Sequence, residues 1–139
     1  MKVPCLIISL LLSQISFSQQ VTHKDLIGTW VEKNSIENAN AYKSTTIFID
    51  STYAFRIDGG DGKNIIDSVH LYYTLDTTTT PSFLHMEGVD NNNEKWNINW
   101  FIKLVDKNIL KIQGWSNGEI PKKWIRHETA KNTFIFIRQ

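Results

Sequence analysis

The feature that most constrains this chain is a repeated alternation of apolar and polar residues in short segments separated by turn-forming residues. A period of two is typical of β-strands that bury one face. Helical periodicity is limited to Thr22 to Ile27, where Thr22 is a suitable N-cap and Asp25 follows three residues later. The alternation predicts eight strands, at about Thr29–Asn34, Ser44–Asp50, Thr52–Asp58, Asp67–Asp76, Ser82–Gly88, Lys95–Val105, Ile109–Trp115 and Asn132–Arg138.

The connections between these strands are short, so strands that are neighbours in sequence are expected to pair as antiparallel hairpins. Asp50-Ser51 and Asp106-Lys107-Asn108 are tight turns, and the segment from Asp58 to Gly62 supplies glycines for positive φ angles. Asp76 to Pro81 and Asp90 to Glu94 are polar loops. Eight strands in meander order predict one all-β domain. It is either a closed antiparallel barrel or a two-sheet sandwich, between which alternation alone does not choose.

The alternation also assigns aromatic side chains from several strands to the inner face. These rings could line an apolar pocket in which hydroxyl and indole N–H groups orient a ligand. They could equally fill a narrow barrel and leave no room for one. The inward aromatic residues expected to bind a ligand are Tyr53, Phe55, Tyr73, Trp96 and Trp100.

The N-terminus has the pattern of a secretory signal peptide. Lys2 precedes the apolar run from Val3 to Leu12, and small residues follow around Ser18. We expect cleavage after residue 18, which leaves residues 19–139 as a secreted or periplasmic domain with no transmembrane segment. Cys5, the only cysteine, leaves with the signal, so the exported domain has no disulfide. The 15 basic and 14 acidic residues give no basic excess, which argues against nucleic acid as a partner.

The segment Leu26-Ile27-Gly28-Thr29-Trp30, a helical turn that leads into Gly-x-Trp, resembles the opening signature of lipocalins. More closely, the chain resembles small exported bacterial lipocalin-like domains. Their pattern is matched by Tyr73-Thr74-Leu75-Asp76 before Pro81, by Leu110-Lys111-Ile112, and by Gly118 to Pro121. The resemblance implies an eight-stranded lipocalin-like barrel with a short N-terminal helical turn. It also implies a structural closure in which Trp30, preceded by Gly28, stacks on Arg138 of the last strand.

The chain departs from the larger families in ways that leave the ligand open. The second lipocalin signature, Thr-Asp-Tyr, is missing, as are the helix after the eighth strand and the disulfide. Fatty-acid-binding proteins insert two helices after the first strand, and Ser35 to Lys43 is too short for them. We therefore expect a small apolar or amphipathic ligand without naming it. The alternative is a filled barrel that acts as a protein-interaction or inhibitor module through its loops.

Two further regions of the sequence are candidate sites. If Tyr73 lay opposite Leu84, His70 and His85 would be diagonal neighbours beside Glu87, and the three side chains could hold a zinc ion. Exposed histidines on strands are common, however, so we predict no metal site. Trp115 and Trp124 flank the Gly118–Pro121 loop. This loop could form a contact surface, or it could fold over the end of the barrel as a plug. We expect it to fold over the barrel end. No nucleophile elbow, phosphate loop or dinucleotide fingerprint is present, so neither an enzyme nor a cofactor is expected.

Overall fold

The computed structural model describes residues 20–34, 43–59, 65–115 and 117–139. The predicted signal peptide, residues 1–18, lies outside the described residues. The helix and strands whose bounds lie within the described residues are α1 His23–Leu26, β1 Gly28–Glu32, β2 Lys43–Phe48, β3 Tyr53–Gly59, β4 Ile65–Asp76, β5 Ser82–Asp90, β6 Lys95–Asp106, β7 Ile109–Trp115 and β8 Phe134–Arg138.

The strands form a closed barrel in sequence order, in which every neighbouring pair is antiparallel and β1 also pairs with β8. The predicted all-β, eight-stranded meander barrel is confirmed, and the sandwich alternative is excluded because closure leaves no second sheet. Differences in strand ends are small. The chain leaves β1 at Glu32 instead of continuing as strand to Asn34, and β8 begins at Phe134 instead of Asn132.

The helical turn forms where the sequence predicts it. The Thr22 side chain accepts a hydrogen bond from the Asp25 backbone N–H, and the Asp25 carboxylate accepts one from the Thr22 backbone N–H, a reciprocal capping box. Among the described residues, no helix is long and apolar enough to cross a membrane.

The strand ends divide the barrel into two ends. At the helix end, α1 meets the start of β1 and the end of β8. At the loop end, β1 stops at Glu32, β8 begins at Phe134, and the long segment 116–133 leads from β7 to β8. The buried core runs through the helix end and the middle of the barrel, and includes Leu26, Trp30, Phe48, Leu71, Tyr73, Leu84, Met86, Ile98, Trp100, Ile102, Leu110, Ile112 and Phe136.

One face assignment was wrong. Tyr53 and Phe55 were expected inside, but Ala54 and Arg56 are buried and Tyr53 is 44% exposed. The register explains the inversion, because Ala54 pairs with Phe48 and with Leu71, and a small residue there leaves room for both neighbours. Alternation fixes the period of a strand but not its phase, and a shift of one residue exchanges the two faces.

Candidate functional site

The helix end of the barrel interior is closed by specific contacts. Trp30 is fully buried, and its indole N–H donates to the Leu26 carbonyl at 2.8 Å. The Arg138 guanidinium lies 4.3 Å from the centroid of the Trp30 ring and donates to the carbonyls of Ile27, Asp25 and Lys107. The structure thus places Trp30 and Arg138 together, as the resemblance implied.

Gly28 is required at this closure. Its φ is +129°, which disfavours other residues, and a β-carbon there would lie 3.0 Å from Nη1 of Arg138. A side chain at position 28 would therefore displace the guanidinium that covers Trp30.

Tyr73, expected to bind a ligand, belongs to the helix end. Its hydroxyl donates to the Asp50 carbonyl at 2.5 Å and lies 3.3 Å from Nδ1 of His23, while its ring meets Phe48 edge-on. Burial, helped by the nearby Asp50 carboxylate, raises the pKa of Tyr73 to about 12. This hydroxyl joins the β2–β3 turn to the core and already has its partners, so its role here is structural.

The loop end is different because it holds a cavity of about 130 Å³ that is partly open to solvent. Aromatic and aliphatic side chains form most of its wall, and two charged side chains join them. The lining residues are Glu32, Arg56, Trp100, Ile112, Gly114, Trp115, Phe134 and Phe136.

Trp100 forms one wall of this cavity, and an aromatic and a charged side chain lie beside its ring. Its ring centroid lies 6.1 Å from that of Phe136, and the guanidinium carbon of Arg56 lies 5.4 Å from it. Gly114 of β7 pairs with Trp100, and a β-carbon on Gly114 would lie only 2.1 Å from the Asn99 carbonyl oxygen. Glycine at this position lets β7 lie close against β6 beside the indole.

Arg56 is the charged residue that sequence reasoning missed. Its side chain is buried inside the barrel, where Nη1 donates to the Thr46 hydroxyl at 3.4 Å and the guanidinium faces Trp100. The arginine was assigned to the outer face because Tyr53 and Phe55 were expected inside. The sequence of β3 carries no local signal for the correct phase, because Tyr53 and Phe55 make the opposite face the more apolar one.

The other predicted aromatic residues lie outside this cavity. Trp96 is half-buried at the β5–β6 turn, where its indole N–H donates to the Asp90 carboxylate at 3.1 Å. Tyr53 and Phe55 lie on the outer wall, with the ring of Tyr53 4.9 Å from Tyr72 and that of Phe55 4.6 Å from His70. We call these four outer residues the outer aromatic cluster. Of the five predicted ligand residues, only Trp100 lines the cavity.

The assumed pairing behind the possible metal site was wrong by two residues. Tyr73 pairs with Met86, so His70 pairs with Val89 and His85 with Thr74. The two histidines are separated along the strands instead of being diagonal neighbours, and Nδ1 of His85 lies 2.7 Å from the Asn99 amide oxygen. Within the described ranges, no three His, Cys, Asp or Glu side chains are grouped to hold a metal ion.

The segment after β7 packs on the outer wall of the barrel, so the expectation that it plugs the barrel end was wrong. The Lys103 ammonium lies 4.1 Å from the Trp124 ring centroid, and burial lowers the pKa of Lys103. Gln113 holds the backbone of Ile125 at both its N–H and its carbonyl. Lys103 of β6 and Gln113 of β7 point outward, so their ammonium and amide groups contact this segment on the outer wall.

Comparisons of the chain with protein-family models, curated proteins and solved structures give no match. The functional argument therefore depends on the cavity and on the surfaces around it.

Proposed function

We propose that this protein is an exported, lipocalin-like binding protein that holds a small amphipathic molecule, non-covalently, in the loop-end cavity. The observation that carries the proposal is the cavity itself, an aromatic-lined space of about 130 Å³ beside the buried core of the barrel. Its position beside Trp100, Phe134 and Phe136 offers apolar surface, and Arg56 and Glu32 offer a donor and an acceptor for a polar group.

The size of the cavity limits what enters it. Pockets that enclose a drug-sized ligand are on the order of 300–1,000 Å³. An engineered apolar cavity of roughly 150 Å³ binds benzene. The loop-end cavity therefore suits one aromatic ring or a short apolar group, with the polar part of the ligand directed towards the charged residues.

The lipocalin-like assignment and the export are part of the proposal. The assignment is supported by α1 leading into Gly28-Thr29-Trp30 and by the stack of Arg138 on Trp30. Export to the periplasm or the medium is supported by the pattern of residues 1–18. Binding without catalysis is supported by the absence of catalytic motifs in the sequence.

Phenol is a suitable probe because it joins one ring to one hydroxyl group. We expect phenol to bind the protein in isothermal titration calorimetry. The variant Ile112→Phe adds ring atoms at the cavity wall and should lower the affinity for phenol by at least about tenfold. Leu110→Met is the matched control, because Leu110 lies on the same face of β7 and does not line the cavity. Absence of phenol binding, or equal binding by Ile112→Phe, would contradict the proposal.

A second candidate function is protein binding through the outer aromatic cluster. Tyr53 is 44% and Tyr72 is 57% exposed, and exposed tyrosines are frequent anchors of protein interfaces. Replacing both by Ser should abolish capture of a partner from the native host while leaving phenol binding unchanged. A partner still captured by this double variant would remove the outer aromatic cluster as the interface.

A further inference from the structure

The hydrogen-bonded seam that closes the barrel stops short of the loop end. β1 pairs with β8 from Trp30↔Arg138 to Glu32↔Phe136, whereas β8 begins two residues earlier. Among the described residues, Phe134 and Ile135 pair only with β7. Within the described ranges, no residue of β1 therefore pairs with the first two residues of β8.

A cleft of about 310 Å³ lies at this unpaired part of the seam. Glu32 and Phe134 line both the cleft and the loop-end cavity. These two side chains, one charged and the other aromatic, therefore form the wall between the two spaces.

We infer that the cavity and the seam cleft form one two-part site, which takes a small molecule with an aromatic ring and a zwitterionic polar end. This inference depends on the proposed function, because the ring occupies the loop-end cavity. The polar end lies in the seam cleft, which it reaches between Glu32 and Phe134.

The charges around the cleft favour a zwitterion. Two acids and two lysines line it, namely Glu32, Glu128, Lys33 and Lys111. Lys111 Nζ lies 2.5 Å from the Glu128 carboxylate, and this hydrogen bond lowers the pKa of Glu128, so the acid stays ionised at neutral pH. A ligand that carries both charges can insert into the Lys111–Glu128 pair, with its ammonium on the Glu128 carboxylate and its carboxylate on the Lys111 ammonium. A ligand with one charge meets a like charge in the same cleft.

The test compares four probes of similar ring size by isothermal titration calorimetry: phenol, phenylalanine, 3-phenylpropionate and phenethylamine. Phenol reports the cavity alone, and the other three differ in the charges of the polar end. We expect phenylalanine to bind roughly tenfold more tightly than each of the others. Equal or tighter binding of a singly charged probe would overturn the zwitterion assignment.

The double variant Lys111→Met/Glu128→Gln removes one charge of each sign from the cleft. We expect it to lower the affinity for phenylalanine to that for phenol and to leave the affinity for phenol unchanged. Unchanged phenol binding also shows that the variant is folded. The matched control Lys122→Met/Glu119→Gln makes the same change in charge outside the cleft and should alter neither affinity.

The outcomes separate this inference from the proposed function. If phenol binds but phenylalanine binds no more tightly, or if the double variant leaves phenylalanine unaffected, the two-part site is overturned and the cavity proposal stands. If neither phenol nor phenylalanine binds, both are overturned. Phenylalanine binding that is lost in Ile112→Phe and weakened in the double variant, alongside phenol binding, supports the two-part site.

Discussion

The two ends of this barrel differ in how their interiors are occupied. At the helix end, Trp30, Leu26 and Leu84 are fully buried, and Arg138 and α1 hold the end closed through directional hydrogen bonds. At the loop end, Trp100 and Phe136 face a cavity, and a buried arginine takes part in the wall. The helix end is therefore the more directionally bonded of the two, and the loop end holds the cavity in which the proposed ligand would lie.

The largest effect should come from removing the central indole of each end. Trp30→Ala should lower the free energy of unfolding by about 3–5 kcal/mol, because it opens a large void in a packed region. Trp100→Ala should cost about 1 kcal/mol less, because one side of this indole already faces a cavity. Chemical denaturation of both variants tests the difference, and equal losses would show that the two ends are equally packed.

Replacing an inward residue of β7 by a larger one compares the packing at the same two ends of the barrel. Leu110 and Ile112 point inward from β7 two residues apart, and only Ile112 lines the cavity. Leu110→Phe should destabilise the protein by about 1–3 kcal/mol through overpacking, whereas Ile112→Phe should cost less than about 1 kcal/mol because the ring enters existing space. Thermal unfolding of the two variants gives the order. The reverse order would place the free volume at the helix end.

Alkaline pH should report on the helix end through Tyr73. The unfolded chain loses the tyrosine proton near pH 10, while the folded protein keeps it until about pH 12. The folded state binds more protons in this window, so its stability should fall as the pH rises from 10 to 12. Tyr73→Phe should lose about 1 kcal/mol at neutral pH with its hydrogen bond, and this part of the alkaline slope should vanish. An unchanged slope would contradict the assigned burial of the hydroxyl.

The smallest expected effect concerns the capping box. The hydrogen bond from Thr22 holds the pKa of Asp25 below its usual 3.8. The carboxylate therefore contributes stability above that pH, and this contribution is lost as the pH falls through the folded pKa. Asp25→Asn should cost about 0.5 kcal/mol at neutral pH, and the difference from the wild type should shrink below about pH 4. A difference that does not depend on pH would remove the carboxylate from the cap.

Much of the fold could be predicted from the sequence because it depends on local patterns. The period-two alternation gave eight strands, and Thr22 with Asp25 gave the helical turn. The phase of β3 could not be predicted in this way, because Tyr53 and Phe55 on one face and Ala54 and Arg56 on the other satisfy the same period. Only pairing with Phe48 and Leu71 decides it.

The site was less predictable than the fold because it depends on contacts between distant strands. Trp100 was found from its inward, aromatic position. Arg56 was missed with the phase of β3, and the separation of His70 from His85 depends on the register between β4 and β5, which their alternation alone does not specify. The cavity arises from the packing of β1, β3, β6, β7 and β8, and no single segment encodes its volume.

The most direct test of the account is a methyl-resolved NMR titration of the protein with phenol. Nuclear Overhauser contacts should connect the phenol ring to the methyl groups of Ile112 and to the Phe136 ring, with no contact to Leu84 or Leu110 at the filled end. Contacts confined to Tyr53 and Tyr72 on the outer wall, or no contact inside the barrel at saturating phenol, would contradict the claim that the loop end holds the ligand.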